Sequence, residues 1–174
     1  MRRLLNSQRP SRRARAAAVV GLAAATAGGT LIAGEAAAEP ELRNYVKTIR
    51  CNSADPFPGP QLPIRVSVWN KVRFPSDGLP GPAIELIATG PRPGGLPNIG
   101  TYTIETRVKW RNVTTGKRGS VFVPTTTNRV TWQAVIHPGR GQVHFTIHQK
   151  IGAVAFMPMV NPQFSSCRGS APSV

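Results

Sequence analysis

In residues 101–111 every second side chain is of one kind: Tyr102, Ile104, Thr106, Val108 and Trp110 fall on one side of an extended chain, and Thr103, Glu105, Arg107, Lys109 and Arg111 on the other. That spacing has the period of a strand, not of a helix, and predicts a half-buried strand with a basic outer face. Leu62, Ile64, Val66 and Val68 alternate in the same way with Pro63, Arg65, Ser67 and Trp69. Shorter strands are predicted at 43–50, 83–88, 120–123 and 151–160, the last interrupted by Pro158. Past residue 38 there is almost no helical periodicity, so the body of the chain is expected to be essentially all β.

Prolines and glycines separate these runs. DPFPGP at 55–60, PSDGLPGP at 75–82 and GPRPGGLP at 90–97 cannot be helix or central strand, because proline lacks a donor and glycine loses the most entropy on ordering. Short strands joined by such loops predict a single antiparallel β-sandwich of immunoglobulin-like type. The most specific local expectation is a hairpin over 129–149, turned by Pro138, Gly139, Arg140 and Gly141, with Gly139 at positive φ. Its register sets Ile136 opposite Val143, Ala134 opposite Phe145 and Trp132 opposite Ile147, all apolar. The other face carries Thr131, Gln133, Val135, His137, Gln142, His144, Thr146 and His148.

Residues 1–38 have a basic start with Arg2, Arg3, Arg9, Arg12, Arg13 and Arg15, an apolar stretch and an Ala36-Ala37-Ala38 exit, and so predict a helical export signal cut between Ala38 and Glu39. Ser11-Arg12-Arg13 resembles a twin-arginine signal, although Arg15 stands where that motif usually has an apolar residue, and the ordinary secretory route stays open beside it. A retained anchor is the alternative, but the stretch is mostly Ala and Gly and its insertion energy is marginal. Cleavage leaves one domain, residues 39–174, with no stable membrane span.

In an oxidising compartment Cys51 and Cys167 should pair, tying the tail to the first strand. A loop of that length stabilises a domain by about 4–5 kcal/mol on the chain-entropy model. Neither cysteine has the C-x-x-C spacing of a zinc site. The whole chain carries a net charge of +15, and the mature part keeps sixteen basic residues against six acidic ones, about +10. A cationic exported protein is drawn to anionic polymers and lipid headgroups.

His137 and His144 would be diagonal neighbours in the predicted hairpin, roughly 7–8 Å apart, which makes them weak metal candidates. No Asp or Glu lies on either strand to complete a site, so no metal or cofactor is expected. There is no G-x-S-x-G, no carboxylate pair near a histidine and no phosphate-cradling glycine loop, and catalysis is not expected. Single-stranded nucleic acid would need aromatics beside the basic residues. Tyr102, Trp110, Trp132 and Phe145 point to the core instead, leaving only Trp69 beside Arg65.

One turn remains, Trp110-Arg111-Asn112-Val113-Thr114-Thr115-Gly116-Lys117-Arg118-Gly119. Asn112 can cap it, Gly116 and Gly119 can supply positive φ, and Lys117-Arg118 would stand at the tip. Asn112-Val113-Thr114 also matches a glycosylation acceptor. The W-x-N-x-x-T-G-x-x-G pattern after an alternating strand resembles small exported actinobacterial β-sandwich proteins of unknown function, over about residues 101–160. The resemblance implies a compact β domain in the cell envelope and supplies no catalytic residue. The expectation is a secreted or envelope-associated, non-catalytic binding or structural protein. Arg107, Lys109, Arg111, Lys117 and Arg118 would attract an anionic envelope polymer or lipid. The alternative is a secreted effector or inhibitor that binds a protein partner through its Pro/Gly-rich loops.

Overall fold

A computed structural model describes residues 42–92, 100–154 and 159–174. The export signal and its cleavage point, Ala38 and Glu39, lie outside the described residues, as do 93–97 of the third breaker and Pro158. Eight strands are present: β1 (Asn44–Arg50), β2 (Arg65–Asn70), β3 (Ile84–Thr89), β4 (Tyr102–Asn112), β5 (Arg118–Thr127), β6 (Thr131–Ile136), β7 (Gly141–Ala153) and β8 (Val160–Ser173). They form two four-stranded antiparallel sheets, ordered β1-β2-β3-β6 and β5-β4-β7-β8. Among the described residues there is no helix, and so none long and apolar enough to cross a membrane.

The arrangement is sandwich-like because each sheet has one apolar face and one cluster contains both. Val66, Val68, Leu86, Ala88, Trp132 and Ala134 come from the first sheet, and Ile104, Val108, Val143, Phe145 and Ile147 from the second. The alternation in β4 holds throughout: Tyr102, Ile104, Thr106 and Val108 are fully buried, while Arg107, Lys109 and Arg111 are exposed. Ile64, Val66 and Val68 are buried as their spacing predicts. The first breaker loop is pinned to this core. The Tyr102 hydroxyl donates to Asp55 at 3.2 Å, Asp55 in turn accepts the Phe57 N–H at 3.0 Å, and the Phe57 ring packs edge-on against Tyr102. Burial, together with the adjacent Asp55 charge, pushes the Tyr102 phenol well above its ordinary range.

The predicted hairpin does not form. β6 pairs with β3, setting Ile136 against Ile84, Ala134 against Leu86 and Trp132 against Ala88. β7 pairs with β4 and β8 in the other sheet. The two apolar sets expected to be ladder neighbours are both inward, but they belong to opposite sides of the sandwich. Alternation fixes which side chains go inside; it is silent on whether the following strand returns to the same sheet or crosses to the other. Here the chain crosses, with Gly139 at φ 72° and Gly141 at φ 131°.

Asn112 makes that crossing possible. At 0 % exposure its amide nitrogen donates to the carbonyls of Pro138 (3.0 Å) and Arg140 (2.9 Å). Its oxygen accepts the N–H groups of Thr114 (2.9 Å) and Thr115 (3.1 Å). One side chain therefore satisfies the backbone of both the β4–β5 turn and the β6–β7 crossing. A Cβ at Gly141 would lie 2.7 Å from that oxygen and 2.7 Å from the Thr114 Cβ, so the space is closed to any other residue.

β8 was not foreseen. Its inward positions Gln163, Ser165, Cys167 and Gly169 carry no run of large apolar groups, and Pro162 and Pro172 break the pattern. Pairing with β7 along its length supplies what its own composition lacks. The strand predicted at 151–160 is in fact the end of β7, through Ala153, and the start of β8 at Val160. β5 extends well past 120–123 on both sides, and its edge position tolerates Pro124.

Cys51, directly after β1, is bonded to Cys167 in β8, with Cα atoms 5.3 Å apart and a separation of 116 positions in sequence. β1 and β8 are edge strands of different sheets, so the bridge fastens the sandwich along one side. Beside it Gln149, 2 % exposed, accepts from Trp132 Nε1 at 2.6 Å and donates to Cys51 O and Ser165 Oγ, both at 3.2 Å.

Asn112→Ala removes one side chain and orphans backbone groups in two loops. It should cost about 2–3 kcal/mol, read as a lower urea midpoint at unchanged slope. A loss below about 1 kcal/mol would mean that the crossing is held by the backbone alone.

Candidate functional site

The outer face of the β5-β4-β7-β8 sheet is built by ladder register. Arg111 stands between Arg118 and His144; Lys109 between Ser120 and Thr146, with Arg168 next beyond. One pleat further, Arg107 stands between Phe122 and His148; then Glu105 stands between Pro124 and Lys150, with Phe164 beyond. Successive rows along a strand are about 6.7 Å apart, and neighbouring strands about 4.8 Å apart. Arg107, Lys109, Arg111, Arg118, Lys150 and Arg168 thus share this face with one carboxylate, Glu105, which Lys150 neutralises at 3.4 Å.

Two open depressions mark the face. One, of about 500 Å³, is lined by Lys109, Arg111, Arg118, His144, Thr146 and Arg168, among others. The second, of about 260 Å³, includes Arg107, Lys109, Phe122, His148, Lys150 and Phe164. Lys109 borders both. Phe122 is 48 % and Phe164 74 % exposed, unusual for a side chain that gains by burial. The Arg107 guanidinium lies over the Phe122 ring at 5.1 Å.

Of the five residues expected to attract an anion, Arg107, Lys109, Arg111 and Arg118 are brought onto this face. Lys117 is exposed in the turn that precedes β5. Arg168, Phe122 and Phe164 were missed. Arg168 and Phe164 lie on the strand whose composition concealed it, whereas Phe122, flanked by Val121 and Val123, was legible as outward once Val121 was taken as inward. The turn itself differs in one respect. Gly116 has positive φ (77°), but Gly119 does not; it is glycine because a Cβ would sit 2.6 Å from the Trp110 ring. The Asn112 side chain is buried and fully engaged, so the folded protein cannot present that acceptor for glycosylation.

The histidines divide with their strands. His144 is on the outer face of β7, whereas His137 follows β6 in the other sheet, so the diagonal pair considered for a metal does not exist. His137 instead meets Asp77, sixty residues away in sequence, with Nε2 to Oδ2 at 2.8 Å, and its Nδ1 lies 3.1 Å from Pro80 O. Both nitrogens are committed to oxygen acceptors of the 75–82 loop, which leaves neither free to act as a base on a substrate. Trp69 is half-buried beneath the Arg43 guanidinium (4.5 Å) and against Tyr45 (5.3 Å). Arg43 also pairs at 2.7 Å with Glu85, a buried carboxylate that accepts from Gln133 as well.

No protein-family model, curated protein or solved structure matches this chain.

For Asp77, burial raises the carboxyl pKa, but the hydrogen bonds from His137 and the Leu79 N–H, with the His137 charge, outweigh it and hold the group below its ordinary 3.8. The stabilisation is present in full above that ordinary value and disappears as pH falls through the lower folded-state value. Asp77→Asn should therefore lower the melting temperature at pH 6 by the equivalent of about 0.3–1 kcal/mol, the range of a partly exposed pair. Wild type and variant should converge as the pH is taken below the folded-state value of Asp77; a gap that persists once the carboxyl is protonated would show that the charge is not what holds the loop.

Proposed function

We propose that this protein is an exported, non-catalytic binding module of the cell envelope or its surroundings, which holds anionic envelope components on the outer face of the β5-β4-β7-β8 sheet. The observation that carries this reading is the row-by-row convergence of cations from all four strands on one face with a single, already neutralised carboxylate. The disulfide supports an oxidising compartment, as the N-terminal pattern of residues 1–38 does independently. The strand order supports an immunoglobulin-like type: β2-β3-β6 facing β5-β4-β7-β8 corresponds to a Greek-key sandwich, with β1 added at an edge. Its bridge differs from that of antibody domains, since it joins edge strands and not the centres of the two sheets.

A second reading has its own observation. Phe74 (71 % exposed) and Leu79 (55 %) stand out from the loop that the Asp77–His137 pair and the Asp77–Leu79 hydrogen bond hold in place. A braced apolar loop suits an effector or inhibitor binding a protein partner, because little ordering entropy remains to be lost.

Retention of the full, oxidised chain on isolated envelope material should fall steeply between about 0.05 M and about 0.5 M salt. Lys109→Ala combined with Arg111→Ala and Arg168→Ala should weaken low-salt retention at least about tenfold. Salt-insensitive retention, or none at low salt, would remove the electrostatic reading. Phe74→Ser with Leu79→Ser should leave retention intact and abolish binding only of a protein partner.

A further inference from the structure

The cationic face is also a trough with matched walls. Its floor is β4 and β7, and its walls are the edge strands β5 and β8, about 14 Å apart across three strand spacings. Each wall carries one arginine and one phenylalanine four residues apart, Arg118 and Phe122 on β5, Arg168 and Phe164 on β8. The register puts both arginines at one end and both rings at the other. Between them Arg107, Lys109 and Arg111 step along the floor at about 6.7 Å. From this geometry we infer that the face binds a single linear acidic polysaccharide laid along β4 and β7. Its carboxylates or phosphates meet the floor lysine and arginines, and the apolar C–H faces of its sugar rings rest on Phe122 and Phe164. The inference rests on the reading of this face as anion-binding and goes beyond it to the shape and chemistry of the ligand.

Three features select that ligand. The depressions are concave, and the floor residue Lys109 lines both, whereas a planar bilayer surface would meet the rims first. Both rings are exposed at the end away from Arg118 and Arg168, so the occupant must present apolar surface there and charge along the rest of its length. A sugar chain bearing acidic groups does so; a bare phosphate polymer does not. Single-stranded nucleic acid stacks successive bases on aromatics repeated along its path. Here the cations run the length of the trough and the rings stand only at one end.

The test measures the full, oxidised chain against four probes at one low salt concentration: a short linear polyuronate, inorganic polyphosphate of equal charge, an oligothymidylate and phosphatidylglycerol vesicles. Polyuronate should bind at least about tenfold more tightly than polyphosphate. Phe122→Ala with Phe164→Ala should abolish that advantage and leave polyphosphate binding within about twofold, with melting temperature confirming the fold. Unchanged polyuronate binding in this variant, or tighter binding of the oligonucleotide or the vesicles, would overturn the assignment while the anion-binding reading stands. That broader reading falls separately if Lys109→Glu with Arg111→Glu changes the binding of none of the four probes.

Discussion

The architecture depends on the chain leaving one sheet and entering the other between Ile136 and Gly141, and on the buried carboxamide that makes this tolerable. A backbone that turns through a sandwich edge exposes carbonyls and N–H groups that no ladder can pair, and each costs free energy if left unmet. The Asn112 side chain meets them from below, accepting from one loop and donating to another. Because it also ends β4, it fixes where the charged central strand stops and where β7 begins beside it. In the same ladder Asn112 stands opposite Val143, Arg111 opposite His144 and Lys109 opposite Thr146. An aspartate there would lack the donors, and a serine the reach.

The two outer faces have been put to different use. On the first sheet, Trp69, Val135, Val72 and Ala83 form a small second cluster, and Arg43 lies across Trp69 while neutralising Glu85. That face is largely occupied by its own chain. On the second sheet nothing comparable lies over Arg107, Lys109, Arg111 and Arg118 among the described residues. The cations there are spaced by backbone geometry, not by pairing, and their field is directed outward.

Much of this was legible where the residues themselves alternate. β4 and β2 were readable because large apolar groups mark one face and charges the other, and Cys51 with Cys167 because two cysteines in such a chain have few alternatives. Arg107, Lys109, Arg111 and Arg118 were readable as exposed cations for the same reason as β4. What could not be read is relational. The inward sets of β6 and β7 are identical in a hairpin and in a crossing, so the pattern that correctly buried Trp132 and Phe145 misplaced their partners and brought His137 beside His144 wrongly. β8 was hidden because its inward Gln163, Ser165, Cys167 and Gly169 include no large apolar group, and Gly169 fits beneath Phe145 only after the neighbouring strand is in place; a Cβ there would lie 2.7 Å from that ring. With β8 unseen, the second wall of the trough was unseen too.

The placement of the bridge bears on how this chain would respond to proteolysis. Its two cysteines enclose all but the terminal segments of the described residues, including the loops at 55–60 and 75–82, whose exposed parts are 58–60 and 76–81. A single cut anywhere between Cys51 and Cys167 leaves one covalent molecule. After a cut in either loop the first piece, β1 alone or β1 with β2, stays on the first sheet and tied through Cys51, and all four strands of the charged face remain together in the second. Only a second cut, or reduction, can release a fragment, so the protein would persist in proteolytic surroundings as an intact object with a broken backbone.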